Sequence, residues 1–171
     1  KTITVIPSLG GSITETDNSC TPNDDKVLAG TVINLTANPA GGTAPFTYIW
    51  SEGSTTASIN PAVSATTTYS VTITDANGLT TISNKTITVI SAPTAAIAST
   101  EGSCTPNDDK VLSGGSVNLT ASGGVTYVWD NGLNPTANNT VNPSVTTTYS
   151  VTATDVNGCT NTASVTVTVA P

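Results

Sequence analysis

The sequence predicts an all-β protein made of two tandem immunoglobulin-like Greek-key β-sandwiches. The decapeptide SCTPNDDKVL occurs twice without a change, as Ser19–Leu28 and as Ser103–Leu112. Cys104 therefore follows Cys20 by 84 residues, a spacing that fits one small β-sandwich. Thr, Ser, Asn, Gly and Pro are abundant, only 9% of the residues are charged, and apolar residues alternate with polar ones in several segments. Together these features indicate two small domains of strands and turns.

A second repeated segment predicts the domain boundaries. The hexapeptide KTITVI occurs at residues 1–6 and again at residues 85–90. Because the second copy would close a full repeat, residues 1–6 are predicted to be the closing strand of an upstream repeat. The two full repeats then span residues 7–90 and 91–171, with prolines near both junctions. The pattern is typical of a tandem array of similar units.

The first half of each repeat predicts two strands joined by a long connection. Ile13 and its counterpart Ile97 belong to the first strand, and the repeated decapeptide forms the connection, which ends at a glycine turn at Gly30 or at Gly114 and Gly115. In the next strand apolar residues alternate with polar ones, which predicts one buried face and one solvated face. The residues predicted to face inward are Ile33, Leu35 and Ala37 in one repeat and Val117, Leu119 and Ala121 in the other.

The aromatic residues predict the centre of each core. Every second residue of the third strand is large and apolar, namely Phe46, Tyr48 and Trp50 in the first repeat and Val125, Tyr127 and Trp129 in the second. Trp50 and Trp129 are predicted to anchor the two cores. A sugar-stacking platform of these aromatic residues is the alternative, but aromatic residues make up only 4% of the chain.

The second half of each repeat predicts a hairpin. The segments 69–74 and 149–154 alternate apolar and hydroxyl side chains, and each leads into an Asn-Gly pair. This pair, Asn77-Gly78 or Asn157-Gly158, predicts a tight turn whose two central residues both have positive φ. The strand that follows is rich in Thr and Val and closes the repeat.

These motifs carry a resemblance to a known family. The sequence TTTYSVTxTDxNG followed by an alternating Thr/Val strand, and preceded by a GxxVxLTA strand and a YxW strand, resembles the PKD-like and immunoglobulin-like repeats of large secreted Bacteroidetes surface proteins, including gliding-motility adhesins. The resemblance covers both full repeats. It implies a repeated β-sandwich, an extracellular location at the cell surface and a role as stalk or adhesive fibre, and it implies no catalytic residue.

Charge and composition argue against several functional classes. The chain contains four lysines and eleven acidic residues but neither arginine nor histidine, so that the net charge is −7. Binding to nucleic acid requires clustered basic residues and is not expected. Membrane insertion is not expected either, because no apolar run reaches the length of a spanning helix. Without histidine a Ser/His/Asp or Cys/His nucleophile cannot be assembled, so we expect no enzyme.

The repeated connection is the candidate metal site. Calcium prefers carboxylate, amide and carbonyl oxygens, and these are offered by Asn23, Asp24 and Asp25 and by their copies Asn107, Asp108 and Asp109. The sequence therefore predicts Ca²⁺ in these connections, with Asp75 and Asp155 as weaker candidates. The alternative is that Asp and Asn here cap backbone amides in turns.

Three cysteines without histidine or CxxC spacing give no zinc signature and leave three arrangements open. A Cys104–Cys159 disulfide within the second repeat, with Cys20 unpaired, is the preferred prediction. The others are a Cys20–Cys159 disulfide across the repeat junction, and no disulfide at all.

Lys85 is a further position of interest, because the second repeat has Val165 there. We expect a strand end with the ammonium group reaching solvent. The alternative is a buried lysine joined by an isopeptide bond to an asparagine, with an acidic residue nearby.

The predicted function is that of a non-catalytic structural repeat, a stalk or fibre segment of an extracellular adhesin whose partners are neighbouring repeats of the same array. One alternative is a filament subunit that self-associates into fibres by donating a strand to another chain. Another is an accessory carbohydrate-binding module of a secreted polysaccharide-degrading enzyme.

Overall fold

The computed structural model describes residues 7–102 and 110–170. In these ranges every regular element is a β-strand, which confirms the all-β prediction. The chain divides into two compact units, Lys1–Ser91 and Ala92–Pro171. The closing strand predicted for residues 1–6 lies outside the described residues. The described residues include no helix long and apolar enough to span a membrane.

The described part of the first unit contains nine strands: β1 Leu9–Thr16, β2 Lys26–Leu28, β3 Thr31–Val32, β4 Asn34–Gly41, β5 Thr47–Trp50, β6 Ser58–Ile59, β7 Ala62–Val63, β8 Thr67–Thr74 and β9 Thr80–Ile90. One sheet has the order β1-β4-β6 and the other the order β2-β9-β8-β5, while β3 pairs with β7. The chain alternates between the two main sheets from β4 to β5, to β6 and to β8. This Greek-key arrangement of two small sheets is that of an immunoglobulin-like sandwich.

The second unit follows the same plan. Its described strands are β10 Ala96–Glu101, β11 Lys110–Leu112, β12 Val117–Ser122, β13 Thr126–Trp129, β14 Asn138–Val141, β15 Thr147–Thr154 and β16 Thr160–Ala170. They form a sheet of order β10-β12-β14 and a sheet of order β11-β16-β15-β13. The prediction of two tandem immunoglobulin-like sandwiches is thus confirmed.

Each unit has a hydrophobic core of its own between its two sheets. The core of the first unit consists of Ile13, Val27, Ile33, Leu35, Ala37, Trp50, Ile59, Val63, Tyr69, Val71, Ile73 and Ile87. That of the second consists of Val111, Val117, Leu119, Ala121, Trp129, Val141, Tyr149, Val151 and Val167. The alternation predicted for the second strand of each repeat is confirmed, because all of its inward residues are in these clusters. In the third strand Trp50 and Trp129 are in the clusters and Phe46, Tyr48 and Tyr127 pack against them, but Val125 is 62% exposed, so its predicted place on the core face is wrong. Burial of each aliphatic side chain in the clusters stabilises the fold by about 1.5 to 3 kcal/mol.

The repeated decapeptide contains a strand, Lys26–Leu28, where its sequence predicts only a connection. Strand β2 runs parallel to β9, with Lys26 opposite Thr88 and Val27 opposite Val89. The backbone N–H of Thr88 also donates to the carbonyl oxygen of Asp25 at 2.8 Å. The connection therefore carries the chain from the β1 sheet to the β9 sheet. A three-residue strand shows too little alternation to be recognised, and its partner is distant in sequence.

The hairpins lie where the Asn-Gly pairs predict them, but their turn geometry differs from the prediction. Gly78 has φ of +81° and Gly158 of +77°, whereas neither Asn77 nor Asn157 has a positive φ. The N–H of Gly78 donates to the carbonyl of Asp75 at 3.0 Å, so the asparagine is a central residue of a turn that ends at glycine. The expectation of two positive-φ residues is therefore wrong, because the aspartate side chain organises a wider loop.

Candidate functional site

The β1–β2 connection of the first unit, residues 17–25, passes close to strand β9 and forms the candidate site. Glu15 lies near the end of strand β1, Asp17 and Asp25 lie in the connection, and Lys85 lies in the middle of β9. The parallel pairing of β2 with β9 sets this arrangement, because it fixes Asp25 beside the final strand.

Within the connection, Asn23 and Asp24 act as turn residues. The side-chain oxygen of Asn23 accepts the N–H of Asp17 at 3.2 Å, and Asp24 Oδ1 accepts the N–H of Lys26 at 3.0 Å. Asn23 and Asp25 have φ of 63° and 65°, a region that Asn and Asp enter more readily than other side chains. These bonds are the turn chemistry that was the alternative to a metal site.

The calcium prediction remains a prediction. In the described ranges, no group of three or more Asp, Glu, Cys or His side chains is placed to hold a metal ion. The copies Asn107, Asp108 and Asp109 lie outside the described residues. Asn and backbone oxygens also bind calcium, so only a binding measurement decides the matter.

Thermal unfolding with millimolar calcium and with a chelator tests this hypothesis. If calcium binds the folded connection, tenfold excess over its dissociation constant adds about 1.4 kcal/mol per site and raises Tm by several degrees. Magnesium at the same concentration is the control for ionic strength. An unchanged Tm would leave Asn23 and Asp24 as turn residues alone.

Asp25 and Lys85 form a close ion pair. Lys85 Nζ lies 2.6 Å from Asp25 Oδ1, and the side chains are 25% and 40% exposed, respectively. Asp25 Oδ1 is itself buried and has no partner with hydrogen-bond geometry, so the ammonium nitrogen approaches it off the usual hydrogen-bond direction. Lys85 lies in the middle of the eleven-residue strand β9, which corrects the expectation of a strand end reaching solvent.

Glu15 is buried close to Asp25. Its residue is 6% exposed, and neither carboxyl oxygen has a partner with hydrogen-bond geometry. Burial, the adjoining carboxyl group of Asp17 and the negative charge of Asp25 raise the pKa of Glu15 to about 7. A substantial fraction of Glu15 is therefore protonated near neutral pH, which is unusual for a glutamate.

The pKa of Asp17 shifts in the opposite direction. Desolvation would raise its pKa, but the adjoining carboxyl group of Glu15 and the hydrogen bonding from Ser19 favour its charged form and lower the pKa below the usual value. The N–H of Ser19 donates to Asp17 Oδ1 at 2.8 Å. The pKa values of the two neighbouring carboxyl groups are thus shifted in opposite directions, so that the proton lies on Glu15 and the negative charge on Asp17.

The second unit does not reproduce this set of side chains. Ser99 occupies the position of Glu15, since Ser99 pairs with Leu119 in the same way that Glu15 pairs with Leu35. Val165 occupies the position of Lys85, since each lies opposite the corresponding tyrosine of the preceding strand. Asp109, the copy of Asp25, lies outside the described residues.

Glu15 was not among the residues predicted from the sequence. Ile13 and Glu15 are two residues apart on β1, so strand alternation already places Glu15 on the buried face. A buried acid on a core face is the signal that could have been recognised. Its proximity to Asp25 has no sequence signature.

Asp75 and Asp155 are structural residues of the hairpin loops. Asp75 is buried, and its carboxylate accepts the N–H groups of Thr43, Asn77 and Leu79 at 2.9 to 3.0 Å. Desolvation would raise the pKa of Asp75, but these backbone donors outweigh it and lower the pKa below the usual value. Asp155 accepts the N–H groups of Asn157 and Cys159 in the same manner.

Asp75→Ala is expected to lower the Tm of the first unit, because three backbone donors lose their acceptor. The pKa of Asp75 is lower in the folded state, so its stabilising contribution is present above the unfolded pKa and is lost as pH falls through the folded pKa. The Tm difference between wild type and variant should therefore be larger at about pH 7 than at about pH 2. Asp130→Ala, in the other unit, is the control. An equal Tm difference at both pH values would contradict this role.

Cys20 and Cys159 are both disulfide-bonded. Cys159 is also buried in the second unit, with 1% of its surface exposed. The predicted Cys104–Cys159 disulfide would leave Cys20 unpaired, so the disulfide at Cys20 argues against it; Cys104 itself lies outside the described residues. Peptide mapping under non-reducing conditions distinguishes it from the other arrangements.

The aromatic side chains belong to the cores. Trp50 and Trp129 are buried, and their indole N–H groups donate to the carbonyls of Thr56 and Thr136. Tyr48 and Tyr127 pack against the same clusters while remaining partly exposed. These contacts favour the core interpretation over a sugar-stacking platform.

Comparison with known proteins adds little to these observations. The sequence matches no protein-family model and no curated protein. Among solved structures, the chain is similar to murine CEACAM1b, with 10% sequence identity, a TM-score of 0.40, and coverage of 95% of this chain and 99% of that one. A similarity at this level supports no argument about function, and the fold assignment rests on the strand order and the cores.

Proposed function

We propose that this chain is a non-catalytic structural segment of an extracellular surface protein, a stalk or fibre segment of an adhesin. The observation that carries the proposal is the repetition of one sandwich, with a separate hydrophobic core in each unit. Units of this kind extend an array by copy number. The partners would be neighbouring repeats of the same array.

The chemistry of the chain supports this proposal. Without histidine or arginine, the usual nucleophile systems and basic binding patches cannot form. Disulfide-bonded cysteines favour an oxidising compartment and therefore an extracellular location. The repeat motifs resemble those of Bacteroidetes surface adhesins, which supports placement at a cell surface.

Force spectroscopy of the protein held at its two ends tests the mechanical role. We expect two unfolding events per molecule, one for each sandwich, at forces typical of a load-bearing domain. Trp129→Ala is the matched variant, because it removes the central core residue of only the second unit and should weaken only one of the two events. Loss of both units in a single low-force event would contradict a role as a stalk.

A binding screen tests the receptor alternative. We expect no glycan or surface protein to bind the purified chain specifically at micromolar concentration. Specific binding that survives Tyr48→Ala and Tyr127→Ala would favour a receptor function elsewhere on the surface. Specific sugar binding that these substitutions abolish would support a carbohydrate-binding module.

A further inference from the structure

We propose that the first unit forms an isopeptide bond between Lys85 Nζ and Asp25 Cγ, with Glu15 as the adjoining acid that relays the protons. The bond would covalently join the start of β2 to the middle of β9. Its formation does not depend on the mechanical function proposed above.

The geometry of the two reacting groups carries the proposal. Lys85 Nζ lies 2.6 Å from Asp25 Oδ1, and since a C–O bond measures about 1.2 Å, the nitrogen lies within about 4 Å of Cγ. The nitrogen approaches outside hydrogen-bond geometry, and Asp25 Oδ1 is shielded from water. Reacting atoms held this close on fixed elements react as if at a very high local concentration.

The backbone holds both groups in place. Asp25 immediately precedes β2, and its carbonyl oxygen accepts the N–H of Thr88 from β9 at 2.8 Å. Lys85 lies on the same strand β9, three residues before Thr88. Neither side chain therefore needs a backbone rearrangement to reach the other.

The reaction is a balanced condensation. A bond forms between Nζ and Cγ, and the bond from Cγ to one carboxyl oxygen breaks. The nitrogen gives up two protons, which leave with that oxygen as water. One positive and one negative charge disappear together, so the net charge is unchanged, and no oxidant or other reagent is needed.

Glu15 supplies the proton relay. Its protonated carboxyl group gives a proton to the departing oxygen, and its carboxylate then takes one from the nitrogen, so that Glu15 is unchanged at the end. Its carboxyl group is buried, and its raised pKa keeps the required proton near neutral pH. The amide also removes the cost of an incompletely paired, buried carboxylate oxygen at Asp25.

The second unit serves as an internal reference. It has Ser99 and Val165 at the positions of Glu15 and Lys85. It therefore has no amine at this site, and the whole chain is expected to lose one molecule of water rather than two.

Intact-mass spectrometry of the purified protein tests the bond. After reduction and alkylation of the cysteines, the wild-type chain should weigh less than its sequence by the mass of one water. Proteolysis should yield a branched peptide that joins Lys85 to Asp25. A full sequence mass with linear peptides covering both residues would overturn the proposal.

Four variants sharpen the test. Lys85→Ala and Asp25→Ala should both restore the full mass, while Lys26→Ala, which removes the neighbouring lysine, should still lose water. A loss of water that persists in Lys85→Ala would indicate cyclisation of an aspartate instead and would contradict the bond. Glu15→Gln should keep the fold, checked by circular dichroism, but leave the chain unlinked. A linked Glu15→Gln variant would overturn the role given to Glu15.

Discussion

Trp50→Ala is expected to lower the free energy of unfolding of the first unit by about 3 to 5 kcal/mol, because it leaves a large cavity in a close-packed core. Only 2% of Trp50 is exposed, and its indole nitrogen also donates to Thr56 at 2.8 Å. Such a loss is a large fraction of the stability of a small domain. Urea unfolding followed by circular dichroism measures it.

Trp50→Phe is the matched control for the tryptophan prediction. It retains most of the packing but removes the hydrogen bond, so we expect a smaller loss than for alanine. Trp129→Ala should have a comparable effect on the second unit, where the same residue occupies the same place. A change below about 1 kcal/mol in both alanine variants would contradict the core assignment.

Glu15 is expected to make the stability of the first unit depend on pH between about 4.5 and about 7. The pKa of Glu15 rises from 4.5 to about 7 on folding, so the folded state binds more protons in this range. The stabilising contribution is fully present below the unfolded pKa and is lost as pH rises through the folded pKa. We expect a loss of roughly 1 to 3 kcal/mol across this range, after allowing for solvent relaxation around the buried group.

Urea unfolding at a series of pH values measures this dependence. Lys85→Ala is the suitable background, because it prevents the proposed cross-link and retains Asp17 and Asp25, the charged neighbours that raise the pKa of Glu15. Adding Glu15→Gln, which cannot ionise, should flatten the profile over this range. An unchanged profile in the double variant would show that another group titrates. Asp17 has a lowered pKa, so its effect falls at more acidic pH.

The cross-link would change how the first unit carries load. A covalent bond between Asp25 and Lys85 encloses residues 26–84 in a ring, so a force applied at the ends of the chain would bypass most of the sandwich. Force spectroscopy should then show a shorter extension for the first unit in wild type than in Lys85→Ala. Equal extensions would contradict the bond without affecting the proposed stalk function.

The local sequence was sufficient for the features that depend on nearest neighbours along the chain. The repeat at 84 residues gives two units, and alternation with period two places Leu35, Trp50 and Val71 on core faces. The Asn-Gly pairs mark both hairpins, since glycine at a left-handed position is a local requirement. These features follow from chain geometry and from the burial of apolar side chains.

The tertiary structure decided the features that depend on distant pairing. Strand β2 is too short to show a period, and only its parallel pairing with β9 brings Asp25 to Lys85. The turn at Gly78 differs from the predicted type because the Asp75 carboxylate accepts hydrogen bonds from the backbone N–H of Thr43 as well as from N–H groups of its own loop. The raised pKa of Glu15 likewise depends on the folded connection, which places Asp17 and Asp25 beside its buried carboxyl group. Strand alternation could place Glu15 inside the sandwich, but the proton it holds there depends on neighbours that only the folded chain brings together.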